Sequence, residues 1–176
     1  MFQKGELIVY GNSGVCRVEE IGPPGLSGVP KNVDYYTLSP YYSTNSKIFT
    51  PCDNEKIVMR PILTRKEAQS LIGEISSIGL LVVTDEKRRE ECYKEVMKSC
   101  DCRKFVSIIK TIYKRKQERI SEGKKITTSD EKYFQMAEDK LYGELAISLG
   151  IDRAEVKDYI SSKVSGKETK SKIKSN

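Results

Sequence analysis

The chain has 176 residues, 31 lysines and arginines against 25 aspartates and glutamates, a formal charge of +6, and no histidine. That length holds one ordinary domain or two small ones, and the missing imidazole excludes the usual general base, the triads built on it and the commonest metal ligand. The cation surplus is C-terminal: residues 1–60 carry six basic and six acidic side chains, 61–160 carry twenty and eighteen, and 161–176 carry five and one, which points the second half toward a polyanion.

The first sixty residues are punctuated as β structure. Leu7-Ile-Val-Tyr10 reads as a strand, Gly11-Asn-Ser-Gly14 as a tight turn whose glycines accept positive φ, and Val15 to Ile21 as the returning strand. A flexible proline- and glycine-rich loop is expected from Gly22 to Lys31. Val33 to Leu38 and Lys47 to Thr50 read as further strands, with Pro51 and a short Lys56-Ile-Val58 closing the set. Four or five short strands in so few residues bury a core by curling into a small barrel of the SH3 or Tudor type.

After Pro61 the apolar period changes from two to about 3.6. Thr64-Arg-Lys-Glu67 has capping-box spacing ahead of Ala68, Leu71, Ile72 and Ile75. Asp85 can cap a second helix with Cys92, Tyr93, Val96 and Met97 as its buried stripe. Asp101 can cap a third, in which Phe105, Val106, Ile108, Ile109, Ile112 and Tyr113 recur at helical spacing. A fourth opens at Thr128, turns Phe134, Ala137, Leu141, Leu145 and Leu149 inward and ends at Gly150; a fifth begins at Asp152, where Glu155 completes another capping box. From Ser161 the chain is serine, lysine and glycine with little to bury, so a disordered basic tail is expected. The predicted class is α+β: a Tudor/SH3-like β-barrel over 1–60, an all-α domain of about five helices over 61–160, and a tail over 161–176.

Five cysteines, an odd number, and the absence of a hydrophobic leader after Met1 predict a reduced, cytoplasmic protein. Leu80-Leu-Val-Val83 is far too short to cross a bilayer. Cys92, Cys100 and Cys102 are closely spaced, but structural zinc wants four ligands and there is no histidine to complete them, so neither metal nor cofactor is predicted. Gly11-Asn-Ser-Gly14 is no phosphate cradle, since a β run follows it instead of a helix. The third helix is the sharpest signal. Between Arg103 and Arg119 it carries seven basic residues and one acidic, Glu118. Arg103, Lys110 and Lys114 fall opposite the apolar stripe, flanked by Lys104 and Arg115, without the glutamates that relieve repulsion on an ordinary solvated face; phosphate binding is the expectation. Lys87, Arg88 and Arg89 cluster where a helix dipole disfavours cations, which suggests a further use for them. Of Tyr35 and Tyr36, adjacent in one strand, one fills the barrel and the other faces out, where a rigid aromatic suits a protein contact.

The run Phe2-Gln-Lys-Gly-Glu-Leu-Ile-Val-Tyr-Gly-Asn-Ser-Gly-Val15 resembles the opening of the CarD family of bacterial RNA polymerase-binding regulators, as do Ile48-Phe-Thr-Pro-Cys-Asp-Asn54, Ile112-Tyr-Lys-Arg-Lys-Gln-Glu-Arg119 and Leu141-Tyr-Gly-Glu-Leu-Ala146. The four stand in the family's order and span the chain to about Ile160. The resemblance implies a Tudor-like domain, shared with transcription-repair coupling factor, that docks on the polymerase β subunit by strand pairing. It also implies a helical domain that sits on the upstream edge of the transcription bubble and stabilises the open complex. Carried over by position, the polymerase-contacting residues are Tyr36, Leu38, Ile48 and Phe49, and the DNA-facing cations are Lys87, Arg88, Arg89 and Lys132. Two departures stand out. The family's tryptophan wedge is missing, its position falling at Asp85 or Glu86, and an arginine that some members use against polymerase is replaced by Phe49. Phosphate contacts and backbone pairing then have to supply the affinity.

The expectation is a monomeric, nucleoid-associated transcription regulator without enzymatic activity, held to promoter DNA without sequence preference because polymerase docking raises the local concentration of a weak DNA-binding module. The rival is a protein-protein adaptor whose basic helix is only a solvated face. A cysteine-dependent enzyme is a distant third.

Overall fold

Leu7–Tyr10 (β1) and Gly14–Gly22 (β2) form an antiparallel hairpin in register Ile8 with Cys16 and Tyr10 with Gly14. The turn between them is a single 3-10 turn, Gly11–Ser13. It requires glycine at its head: Gly11 has φ +44°, and a Cβ there would lie 2.5 Å from Ile57 Cγ2. The computed structural model describes every residue except 26, 29–31 and 174–176, and side chains as far as 166. Part of the loop expected from Gly22 to Lys31 therefore lies outside the described residues.

Tyr35–Pro40 (β3) pairs with β2 across a register shift between Val18 and Glu20, Ile48–Pro51 (β4) pairs with β3, and Met59–Pro61 (β5) returns to pair with β1. The strand order is β4-β3-β2-β1-β5, all antiparallel. In place of the expected barrel, the sheet is open, with β4 and β5 as its edges. Closure would need those two to pair with a fixed stagger, and they are only four and three residues long. The closing strand also falls three residues beyond the expected Lys56–Val58: Ile57 and Val58 are exposed, and the Val58 carbonyl accepts from Gly11 N at 2.9 Å. Alternation puts Ile8, Tyr10, Cys16, Val18, Tyr36 and Leu38 on one face as the core, with Phe2, Ile48, Cys52 and Met59 leaning on it.

The second unit, Leu63–Asn176, has a core of its own. The Thr64/Glu67 capping box is formed and opens Arg65–Glu74 (α1). Asp85 caps a 3-10 turn, Glu86–Arg88, that leads into Arg89–Ser99 (α2), which ends on Cys100 at a left-handed φ of +52°. Asp101 accepts from Arg103 N and Lys104 N and starts Cys102–Ser121 (α3). Thr127 caps Thr128–Leu149 (α4), which ends at left-handed Gly150. The Asp152/Glu155 capping box leads into Val156–Ile173 (α5). α5 therefore continues past Ser161, where a disordered tail was expected. The chain has no proline after Pro61, and lysine and glutamate extend a helix at little cost. The tail's last three residues lie outside the described ones.

The helices meet around Tyr93, Phe105, Ile108, Ile112, Leu141 and Leu145. Two members of the expected stripes are misplaced: Tyr113 is exposed, and Cys92 is only partly covered. Among the described residues, no helix is long and apolar enough to cross a membrane, and no cluster of side chains could hold a metal.

Candidate functional site

In the first unit, the sheet order leaves the outer edge of β4 unpaired by any other strand of the sheet. Its inner edge pairs Ile48 with Leu38, Phe49 with Thr37 and Thr50 with Tyr36. Of the four residues expected to face a partner, two are core. Tyr36 is 1 % exposed and Leu38 0 %. β3 has a strand on each side, so its backbone pairing is used within the sheet. Tyr36 accepts a hydrogen bond from Phe2 N at 2.9 Å, its ring tilts against Phe2, and burial pushes its phenol above the ordinary range. These two residues shape the edge without forming its surface. Ile48 is half-buried against the core, whereas Phe49 points to the opposite face and is 38 % exposed. Thr50 is buried and accepts from Asn54 Nδ2 at 2.9 Å, which ties the strand to the following turn. Tyr41 and Tyr42, exposed and packed edge-to-face, stand in the β3–β4 connection. Tyr36 is the one of the adjacent pair that fills the core, and Tyr35 is half-buried.

In the second unit the predicted cations divide into two classes. Lys87 and Arg88 ride on the Glu86–Arg88 turn and are exposed; Arg88 pairs with Glu91 at 2.9 Å, with both side chains well exposed. Lys132 is exposed, its ammonium 5.4 Å from the Tyr133 ring centroid, and Lys114 stands 3.8 Å from Glu118 on the open side of α3. The other three have partners within the unit, although Arg103 keeps 55 % of its side chain exposed. Arg89 is 17 % exposed, donates from Nε and Nη2 to both oxygens of Glu86 at 2.8 and 2.6 Å, and reaches Tyr93 Oη at 3.3 Å. Arg103 pairs with Glu74 at 2.5 Å. Lys110 donates to the carbonyls of Ile75 and Ser76 at 3.0 and 3.3 Å and to that of Ile78, so it caps the chain leaving α1. The row of Arg103 and Lys110 faces the 74–78 segment, which a helical wheel of α3 alone could not reveal.

Sequence reasoning missed the group behind the basic turn. Asp130, 1 % exposed at the start of α4, accepts from Tyr93 Oη at 2.9 Å and from Arg115 Nε at 2.9 Å. Arg115 also donates to Glu86 Oε1 at 2.8 Å. Glu86 is pulled down to about 2, first by the hydrogen bonds from Arg89 and then by the charges of Arg89 and Arg115; Tyr93 is pushed up to about 12, chiefly by burial. The local signal was faint: an arginine in the middle of α3 and an aspartate in the first turn of α4 are each ordinary alone.

A groove of about 720 Å³ runs beside the turn. Leu81, Val82, Cys92 and Val96 line it, together with Arg88 of the turn, Lys98 of α2, Lys104 of α3, and Glu91 and Glu95. Cys92 thus faces this groove. The arrangement offers an accessible strand edge on one unit and a cluster of exposed cations on the other, which suits binding.

Comparison with known families assigns both units. The model described as the CarD-like/TRCF RID domain matches residues 2–63, and the model described as the CarD C-terminal domain matches residues 82–161. A search of curated proteins gave no match.

Proposed function

Because the chain belongs to the CarD family, a family of RNA polymerase-interacting transcription factors without enzymatic activity, we propose that it docks on the polymerase β subunit through β4 and contacts promoter DNA at the upstream edge of the transcription bubble. The observation that carries the docking reading is the position of β4 at the edge of the sheet with Phe49 exposed on it. An edge strand offers unsatisfied N–H and C=O groups to an extended partner, and an exposed aromatic adds apolar contact. Tyr36 and Leu38 support that edge from beneath, and Ile48 links it to the core.

DNA contact rests on Lys87, Arg88, Lys114 and Lys132, with Lys104 beside Arg88 in the groove. Arg89 and Lys110 serve the fold instead, and Arg103, half-exposed beside Glu74, stands at the margin of the cation cluster. The chain has no tryptophan, so the hold on melted DNA comes from phosphates and carries no sequence preference. The chain acts as a monomer at the nucleoid, and polymerase docking brings a weak DNA module to one place.

The test uses the full chain on forked promoter DNA at several salt concentrations. Replacing Lys87 and Arg88 with alanine is expected to weaken binding equally on unrelated sequences and to lower the log–log salt slope by about 0.9 for each phosphate that is no longer neutralised. Unchanged affinity and slope would remove the DNA assignment. A second reading, an adaptor whose helical unit binds a protein, draws on the exposed Leu80 and Val82 beside the groove. That reading predicts binding to forked DNA too weak to measure at every salt concentration.

A further inference from the structure

We propose that Asp130 is the positioning residue of the DNA face, holding the Glu86–Arg89 turn through Arg115 and Tyr93 and so fixing where Lys87 and Arg88 present their charge; this rests on the DNA-binding reading above. Asp130 lies in the first turn of α4, 1 % exposed, and both of its carboxylate oxygens are used, one by Tyr93 Oη and one by Arg115 Nε, each at 2.9 Å. Arg115, on α3, passes the restraint on: its Nη1 donates to Glu86 at 2.8 Å. Glu86 in turn is gripped by both Nε and Nη2 of Arg89, and Arg89 Nη1 returns to Tyr93 Oη. The circuit therefore runs from α4 through α3 to the turn and back through α2.

Two properties of this circuit point to a role beyond packing. Its two guanidiniums and two carboxylates cancel, so it adds no net charge to the face; what it supplies is geometry. It also grips the residues on both sides of the two exposed cations, Glu86 before Lys87 and Arg89 after Arg88. A lysine and an arginine on an unpinned turn would lose orientational entropy on every phosphate contact, whereas a turn anchored at both ends has already lost it.

The sign of the effect makes the test sharp. Removing a carboxylate from a DNA-binding protein strengthens its attraction to phosphate through simple charge, whereas loss of positioning weakens binding. Asp130→Asn is expected to weaken the full chain's binding to forked duplex by three- to tenfold at fixed salt. The same substitution made in a chain already carrying Lys87→Ala and Arg88→Ala is expected to change binding by less than twofold, because the groups it positions are gone. Glu86→Gln is the companion variant. Its side chain is 62 % exposed, so it tests the same circuit from its outer end without leaving a buried group unpaired, and a smaller loss with the same dependence on background is expected. Stronger or unchanged binding in these variants, or an equal loss in both backgrounds, overturns the positioning role. If the Lys87→Ala/Arg88→Ala chain itself binds as the wild type does, the DNA assignment of the turn falls first and the proposal falls with it.

Discussion

Phe49 and Ile48 are neighbours in one strand with opposite duties, and substituting them separates surface from support. Phe49→Asp places a charge at an exposed edge position, so the sheet should keep its stability while binding to the polymerase β subunit drops by more than tenfold. Desolvating an unpaired charge at an interface costs about 2–5 kcal/mol. Ile48→Arg should cause the same loss and also lower the melting temperature of the β unit, because Ile48 leans on the core beside Leu38. Binding titrations and thermal melts on both variants check the contrast; equal melts would mean that Ile48 carries no packing. Lys110 has the opposite character. Its ammonium satisfies the carbonyls of Ile75, Ser76 and Ile78, so Lys110→Met should destabilise the helical unit by about 1.5–3 kcal/mol, the usual worth of charged hydrogen bonds, with DNA affinity changed by less than about twofold. A large drop in affinity without destabilisation would return Lys110 to the DNA face.

At the scale of the elements, the Glu86–Arg88 turn and the first turn of α2 depend on ionised Glu86. Its acid is lowered from 4.5 to about 2, so the native state binds its proton less readily than the unfolded state does. The resulting stability is complete above about pH 4.5 and is lost as the pH falls toward 2. The wild-type melting temperature should therefore fall more steeply across that window than that of Glu86→Gln; parallel curves would mean that the circuit contributes nothing to stability. The helix starts at Thr64, Asp101 and Asp152 were legible in the sequence because a cap and the amides it satisfies lie within three residues. The fates of Arg89, Lys110 and Arg115 were not, because Tyr93, Asp130 and the carbonyls at 75–78 are brought to them by packing between helices. A wheel of α3 correctly finds Phe105, Ile108 and Ile112 on the buried face, yet it cannot say that Ser107 and Lys110 on the opposite flank bond to the carbonyls of another segment. In the sheet, alternation separates Tyr36 from Tyr35 but misplaces the last strand: Lys56-Ile-Val58 was expected, and pairing with β1 selects Met59–Pro61.

At the scale of the whole molecule, the two units have separate cores, so the two proposed contacts can be tested separately. Phe49→Asp should leave the full chain's affinity for free forked DNA within about twofold, yet remove its effect on open-complex lifetime, because tethering multiplies a weak DNA contact only while the tether holds. An unchanged lifetime effect would show that the DNA contact suffices by itself. The edge position of β4 has a second consequence, for solubility. Exposed strand edges template self-stacking, and β4 limits that risk by brevity: four residues, the last of them Pro51 with no N–H to give, preceded by the exposed Lys47. The same brevity that caps the number of hydrogen bonds available to a partner keeps copies of the chain from zipping together. Lys47→Val with Pro51→Val should lengthen the apolar edge and raise light scattering in a concentration series at which the wild type stays clear.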